Sequence, residues 1–133
     1  MAKQLTIFLI DDDIDDQEVF EYVMKKVVPG AKLEFARDGI HALERINEGS
    51  FDPDVIFLDI NMPRMDGLRC LEELKKISRL DGVPIYLYST SDESDIPERH
   101  KMHSSSGYIK KHINTDDVEK EFQRIIDNLS PKE

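Results

Sequence analysis

Apolar runs alternate along the chain with segments in which apolar residues recur every three or four positions. The runs at 4–10 (QLTIFLI), 54–59 (DVIFLD) and 83–89 (VPIYLYS) are mostly apolar, as is typical of strands buried on both faces. Shorter runs at 32–37 (KLEFAR) and 107–110 (GYIK) predict two further strands. Five strands separated by helical patterns predict an α/β domain with a parallel sheet and right-handed crossovers.

The segments between the strands predict helices, most of which begin at a side chain that can cap a helix and end near glycine or proline. In chain order they run from Asp13 or Asp15 to about Val28, across 38–49, from Asp66 to about Ser78, weakly from Ser91 to about Met102, and from Asn114 or Thr115 to just before Pro131.

Polar side chains follow the apolar strands where each of them ends. In chain order these residues are Asp11, Asp12 and Asp13, then Asp59, then Ser89, Thr90 and Ser91, then Lys110 and Lys111. The carboxyl ends of parallel strands meet at one edge of the sheet, and ligands of open α/β sheets bind outside that edge. We therefore expect these side chains to form one site.

Five aspartates stand among residues 11–16. Two like charges ~4 Å apart repel by roughly 4 kcal/mol at an effective dielectric of ~20, so a positive partner must offset them. Oxygen ligands without His or Cys suit a hard cation, Mg²⁺ before Zn²⁺. A lysine and a hydroxyl beside the metal would bind a phosphoryl group, and a carboxylate can accept one as an aspartyl phosphate. The pattern predicts a phosphoryl-transfer site.

Composition narrows the function further. The chain has 133 residues, the size of one domain, and its formal net charge of −10 argues against direct binding to nucleic acid or to an anionic membrane. Cys70 is the only cysteine, which excludes an intrachain disulfide, and no apolar run is long enough to span a bilayer. A cytoplasmic location is the prediction.

Four segments, IFLIDDD, DVIFLDINMPRMDG, PIYLYSTS and GYIKKH, together resemble the receiver (CheY-like) domain of two-component response regulators. The resemblance implies a flavodoxin-like, doubly wound sheet of five parallel strands in the order 2-1-3-4-5, with helices on both faces. It also implies a stand-alone receiver over residues 1–133 without an output domain, acting as a phosphorylation-controlled switch rather than an enzyme.

The resemblance assigns the acidic residues. Asp59 would accept the phosphoryl group from a phosphohistidine of a sensor histidine kinase, of phytochrome or hybrid type. Asp12 would bind Mg²⁺ directly and Asp11 through water, and the backbone carbonyl of Asn61 would supply a third protein ligand.

The same resemblance assigns the switch. Ser89 would be the switch hydroxyl, Tyr108 the aromatic switch residue, and Lys111 the lysine that pairs with the phosphoryl oxygens, with Lys110 as the alternative. His112 stands where the family usually has proline, so the sequence leaves open whether the bond before it is cis or trans. The expected output is a protein–protein interaction with a downstream target, with a homodimer as a further possibility.

Other interpretations stay open beside this one. Asp13, Asp15 and Asp16 are explained by helix capping and by the helix dipole. His100 and His103, three residues apart, are better explained as solvent-facing than as metal ligands. The alternative function is a Mg²⁺-dependent phosphohydrolase that uses Asp59 as its nucleophile.

Overall fold

A five-stranded parallel sheet forms the centre of the computed structural model, which describes residues 4–60, 67–89, 107–111 and 115–129. The strands are β1 (Thr6–Ile10), β2 (Lys32–Ala36), β3 (Val55–Leu58), β4 (Ile85–Ser89) and β5 (Gly107–Lys110). They lie in the order β2-β1-β3-β4-β5, and every neighbouring pair is parallel. The order, the sheet type and the position of all five strands confirm the prediction.

Four α-helices are present in the described ranges: α1 (Ile14–Val27), α2 (Gly39–Glu48), α3 (Gly67–Lys75) and α4 (Thr115–Asp127). Residues of α1 and α4 share one buried cluster with one face of the sheet, and residues of α2 and α3 share a second cluster with the other face. The helix predicted over 91–102, the predicted cap Asp66, His100 and His103 lie outside the described residues.

The structure confirms one of the two caps predicted for the first helix, and the helices differ from the prediction in two details. Asp13 caps α1, because its side chain accepts hydrogen bonds from the backbone N–H groups of Asp15 and Asp16. The third helix ends at Lys75, earlier than predicted, and a short 3₁₀ helix (Ser78–Leu80) follows it. Val19 fits the helical spacing of apolar residues that predicts α1, but it is 41% exposed because it lies at the margin of the apolar stripe.

An aromatic cluster fills the core between the sheet, α1 and α4. The ring of Phe20 on α1 contacts Phe57 on β3, Tyr88 on β4 and Phe122 on α4, with centroid separations of 5.3, 6.1 and 5.2 Å. Phe20, Phe57 and Phe122 are fully buried. These contacts fix the position of α1 relative to the strand ends that carry the predicted site.

We expect Phe20→Ala to lower the free energy of unfolding by about 3–5 kcal/mol, since it removes a buried ring and leaves a cavity. Urea denaturation measures the change. Tyr22 on the same helix is 57% exposed, so the control Tyr22→Ala should cost less than about 1 kcal/mol. Equal losses of unfolding free energy in the two variants would contradict the packing of the Phe20 ring in the core.

Candidate functional site

The backbone at the carboxyl edge of the sheet is held by hydrogen bonds that continue the strand pairing by one residue. The N–H of Asp11 donates to the carbonyl of Ala36 at 3.0 Å, and the N–H of Asp59 donates to the carbonyl of Ile10 at 2.9 Å. On the other side of the site, the N–H of Lys111 donates to the carbonyl of Ser89 at 2.7 Å. Side chains from three separate strand ends therefore start from fixed positions.

Three carboxylates converge at this edge. One oxygen from each of Asp11, Asp12 and Asp59 lies within 4.8 Å of the other two. Asp11 and Asp59 are buried, at 0% and 6% exposure, whereas Asp12 is exposed. The cluster thus has two acidic groups shielded from water and a third open to solvent.

The ammonium group of Lys111 lies among these carboxylates. Its Nζ is 2.7 Å from Oδ2 of Asp11, 2.8 Å from Oδ2 of Asp16 and 3.4 Å from Oδ2 of Asp59, and only 9% of the side chain is exposed. The neighbouring Lys110 is exposed. Of the two lysines that the sequence offered, Lys111 is the one that reaches the cluster.

Burial and charge act in opposite directions on the protonation of this pair. Burial raises the pKa of Asp11 to about 6, although the hydrogen bonds from Lys111 and from the backbone of Asp13 lower it. Burial alone would lower the pKa of Lys111, but its hydrogen bonds to Asp11 and Asp16 outweigh that effect and raise it. Lys111 therefore stays charged, but its single positive charge does not fully compensate the negative charge of the buried carboxylates.

The donor set fits a divalent cation. The three converging groups offer only carboxylate oxygens, which are hard ligands, and the exposed side at Asp12 leaves room for the water molecules that Mg²⁺ retains. Asn61, predicted to add a backbone carbonyl, lies outside the described residues, as does His112.

The first turn of α1 is bonded to the acidic strand end. The N–H of Asp13 donates to Oδ1 of Asp11 at 2.9 Å, and Nε2 of Gln17 donates to the carbonyl of Asp11 at 2.7 Å. Sequence reasoning gave Asp16 the role of a helix-dipole partner and missed its ion pair with Lys111. No local signal predicts that pair, because it depends on how α1 is rotated against β5.

The two predicted switch residues lie on neighbouring strands. Ser89, at the carboxyl end of β4, is 1% exposed. Tyr108 on β5 is half-buried and packs against the core cluster shared with α2 and α3. Tyr88 was not predicted to be part of the site, but the centroid of its ring lies 5.1 Å from Nζ of Lys111. Tyr88 packs on the face of the sheet opposite to Tyr108.

The chain is similar in sequence to known response regulators. The family of response regulator receiver domains matches residues 7–123. Response regulator Rcp1 of Synechocystis sp. is 30% identical over 125 residues, covering 90% of this chain and 84% of the relative.

No helix in the described part of the chain is both long and apolar enough to cross a bilayer.

Solved structures give the same result for the fold. The Mn²⁺-bound form of response regulator Rcp1 superposes with a TM-score of 0.79 at 28% identity, covering 97% of both chains. The phosphorylated cyanobacterial phytochrome response regulator RcpA superposes with a TM-score of 0.84 at 24% identity, covering 96% of this chain and 94% of RcpA.

We expect Mg²⁺ to stabilise the protein, because binding to the folded state alone adds about 2.7 kcal/mol when the free ion is at 100 times its Kd. Thermal unfolding with Mg²⁺ and with EDTA measures the shift. In Asp12→Asn the shift should shrink, since the substitution removes the exposed carboxylate of the cluster.

The matched control is Asp15→Asn, which removes an exposed carboxylate that lies outside the cluster. It should keep the full Mg²⁺ shift. A wild-type protein that does not respond to Mg²⁺, or an Asp12→Asn variant that responds fully, would contradict the proposed metal site.

Proposed function

The chain belongs to the family of response regulator receiver domains, which are phosphorylation-dependent signalling switches, and on that premise we propose that Asp59 is its phosphoacceptor. The donor would be a phosphohistidine on a sensor histidine kinase, and the ion would be Mg²⁺. The observation that carries the proposal is the position of the Lys111 ammonium, 3.4 Å from Oδ2 of Asp59 and in contact with Asp11.

The geometry favours Asp59 over Asp11 as the acceptor. Both oxygens of Asp11 accept hydrogen bonds, Oδ1 from the backbone of Asp13 at 2.9 Å and Oδ2 from Lys111 at 2.7 Å. These short bonds suit a residue that orients its neighbours. Asp59 directly follows the central strand β3 and lies between Asp11, which follows β1, and Ser89, the last residue of β4, so groups on both sides can reach a phosphoryl group bound to it.

The proposed transfer needs positioning and charge more than a general base. An oxygen of Asp59 forms a bond to phosphorus while the bond from phosphorus to the donor atom breaks, and the electron pair of that bond leaves with the donor. Lys111 donates a hydrogen bond to a phosphoryl oxygen. Asp12, Asp11 through water, and the carbonyl of Asn61 would hold the Mg²⁺, which neutralises phosphoryl charge when bound.

The proposed switch follows from the added charge. A phosphoryl group brings about −1.5 to −2 charges to the end of β3. The hydroxyl of Ser89 can donate to it from the adjacent strand, and Tyr108, the Cα partner of Leu87 on that strand, would change its packing in response. A local electrostatic event is thereby converted into a change of surface.

The proposed output is recognition by another protein. A formal net charge of −10 disfavours nucleic acid and anionic lipid as direct partners. Two relatives that the chain matches over most of their own length are a response regulator and a regulatory protein, and no comparison favours the phosphohydrolase alternative. The predictions of a single domain without an output domain, of a cytoplasmic location and of a homodimer stay predictions.

Incubation with acetyl phosphate and Mg²⁺ should add one phosphoryl group to the wild-type protein, as measured by intact mass. Asp59→Asn should gain none, because it lacks the nucleophilic carboxylate, and EDTA should prevent the gain in the wild type. Asp81→Asn, at an exposed position away from the site, should be labelled like the wild type. Labelling of Asp59→Asn at the wild-type level would refute the assignment.

A further inference from the structure

Lys111 has a carboxylate partner outside the candidate metal cluster. Asp16, in the first turn of α1, places its Oδ2 2.8 Å from Nζ of Lys111, while the cluster itself consists of Asp11, Asp12 and Asp59. The Asp16 side chain is 34% exposed and the Lys111 side chain only 9%. The contact is therefore an ion pair at the edge of the site, not part of the metal-binding set.

The local structure holds Asp16 in this position. Asp13 caps α1 by accepting hydrogen bonds from the N–H groups of Asp15 at 2.8 Å and Asp16 at 3.3 Å. The N–H of Asp13 in turn donates to Asp11, so the first turn is anchored to the end of β1. Asp15 is exposed, and its side chain forms no hydrogen bond or ion pair with another described residue.

The ammonium group of Lys111 has three N–H donors and three carboxylate partners. Its distance to Asp16, 2.8 Å, is shorter than its distance to Asp59, 3.4 Å. A phosphoryl group on Asp59 adds oxygens that need the same donors and carry more charge than the carboxylate they replace. The contact with Asp16 must weaken if Lys111 moves to meet them.

We propose that Asp16 is a positioning residue that holds Lys111 on the α1 side of the site and competes with the phosphoryl oxygens for its ammonium group. The proposal rests on the function proposed above and adds a restraint to it. An interaction that favours the unphosphorylated arrangement shifts the equilibrium by its differential strength. The affinity of the site for a phosphoryl group is therefore lower with Asp16 than without it.

The test uses beryllofluoride, a non-covalent mimic of a phosphoryl group on a carboxylate, titrated into the full chain at saturating Mg²⁺. Asp16→Asn keeps the size of the side chain and removes its charge. We expect it to bind beryllofluoride roughly twofold to fivefold more tightly than the wild type, as loss of one partly exposed ion pair would allow. Asp15→Asn, which removes one charge from the same helical turn, should bind like the wild type.

Two further measurements separate an effect through Lys111 from a general effect of charge or folding. In the Lys111→Met background, Asp16→Asn should no longer change beryllofluoride affinity, because the residue through which it acts is gone. The affinity for Mg²⁺ alone, measured by calorimetry, should be the same in Asp16→Asn and wild type. Lys111→Gln repeats the first measurement with a polar side chain.

Three different results would each exclude part of this role for Asp16. If the wild type binds beryllofluoride and Asp16→Asn binds it equally or more weakly, Asp16 does not compete with the phosphoryl oxygens for Lys111. The proposal that Asp59 is the phosphoacceptor would then still stand. A gain that persists without Lys111, or that Asp15→Asn reproduces, refutes an effect through the lysine. If the wild type neither binds beryllofluoride nor accepts a phosphoryl group from acetyl phosphate, both proposals fall.

Discussion

The ion pairs of Lys111 join segments that are distant in the chain and would otherwise repel one another. Asp11 directly follows β1, Asp16 lies in α1 and Asp59 directly follows β3. All three carboxylates approach the single ammonium group of Lys111, whose side chain is only 9% exposed. One positive charge among four nearby acids, Asp12 included, leaves an electrostatic deficit. Under the proposed function, this excess of negative charge would attract a divalent cation to the edge of the sheet, and the same lysine would then pair with the phosphoryl group on Asp59.

Among the residues that the structure describes, no peptide bond is cis and only glycines have positive φ, so the arrangement needs no unusual backbone there. The strand order brings the ends of β1, β3, β4 and β5 side by side. Asp11, Asp59 and Lys111, each the first residue after its strand, donate a backbone hydrogen bond to the neighbouring strand, which fixes where their side chains begin. Beneath them, the rings of Phe20, Phe57, Tyr88 and Phe122 pack the sheet against α1 and α4. A rigid apolar layer under a charged edge lets a small electrostatic change at the surface act on well-defined neighbours.

The positions of the strands and most of the candidate site could be predicted from sequence, because strands buried on both faces are apolar runs and these runs end in polar residues. The convergence of Asp11, Asp12, Asp59 and Lys111 follows from the common edge of a parallel sheet, and the order of the strands followed from the family resemblance. The pair between Asp16 and Lys111 did not follow, because it depends on the rotation of α1 and on the path of a long side chain. The exposure of Val19 has the same origin, since a helical period defines a stripe but not its margins.

The sequence separations of the lysine contacts have a kinetic consequence. Lys111 lies 100 residues from Asp11, 95 from Asp16 and 52 from Asp59, so the charges can meet only after most of the chain has been organised. Contacts of such long range close large loops and form slowly. During synthesis, Asp11 and Asp16 would emerge from the ribosome well before Lys111. The candidate site is therefore expected to be among the last parts of the molecule to form.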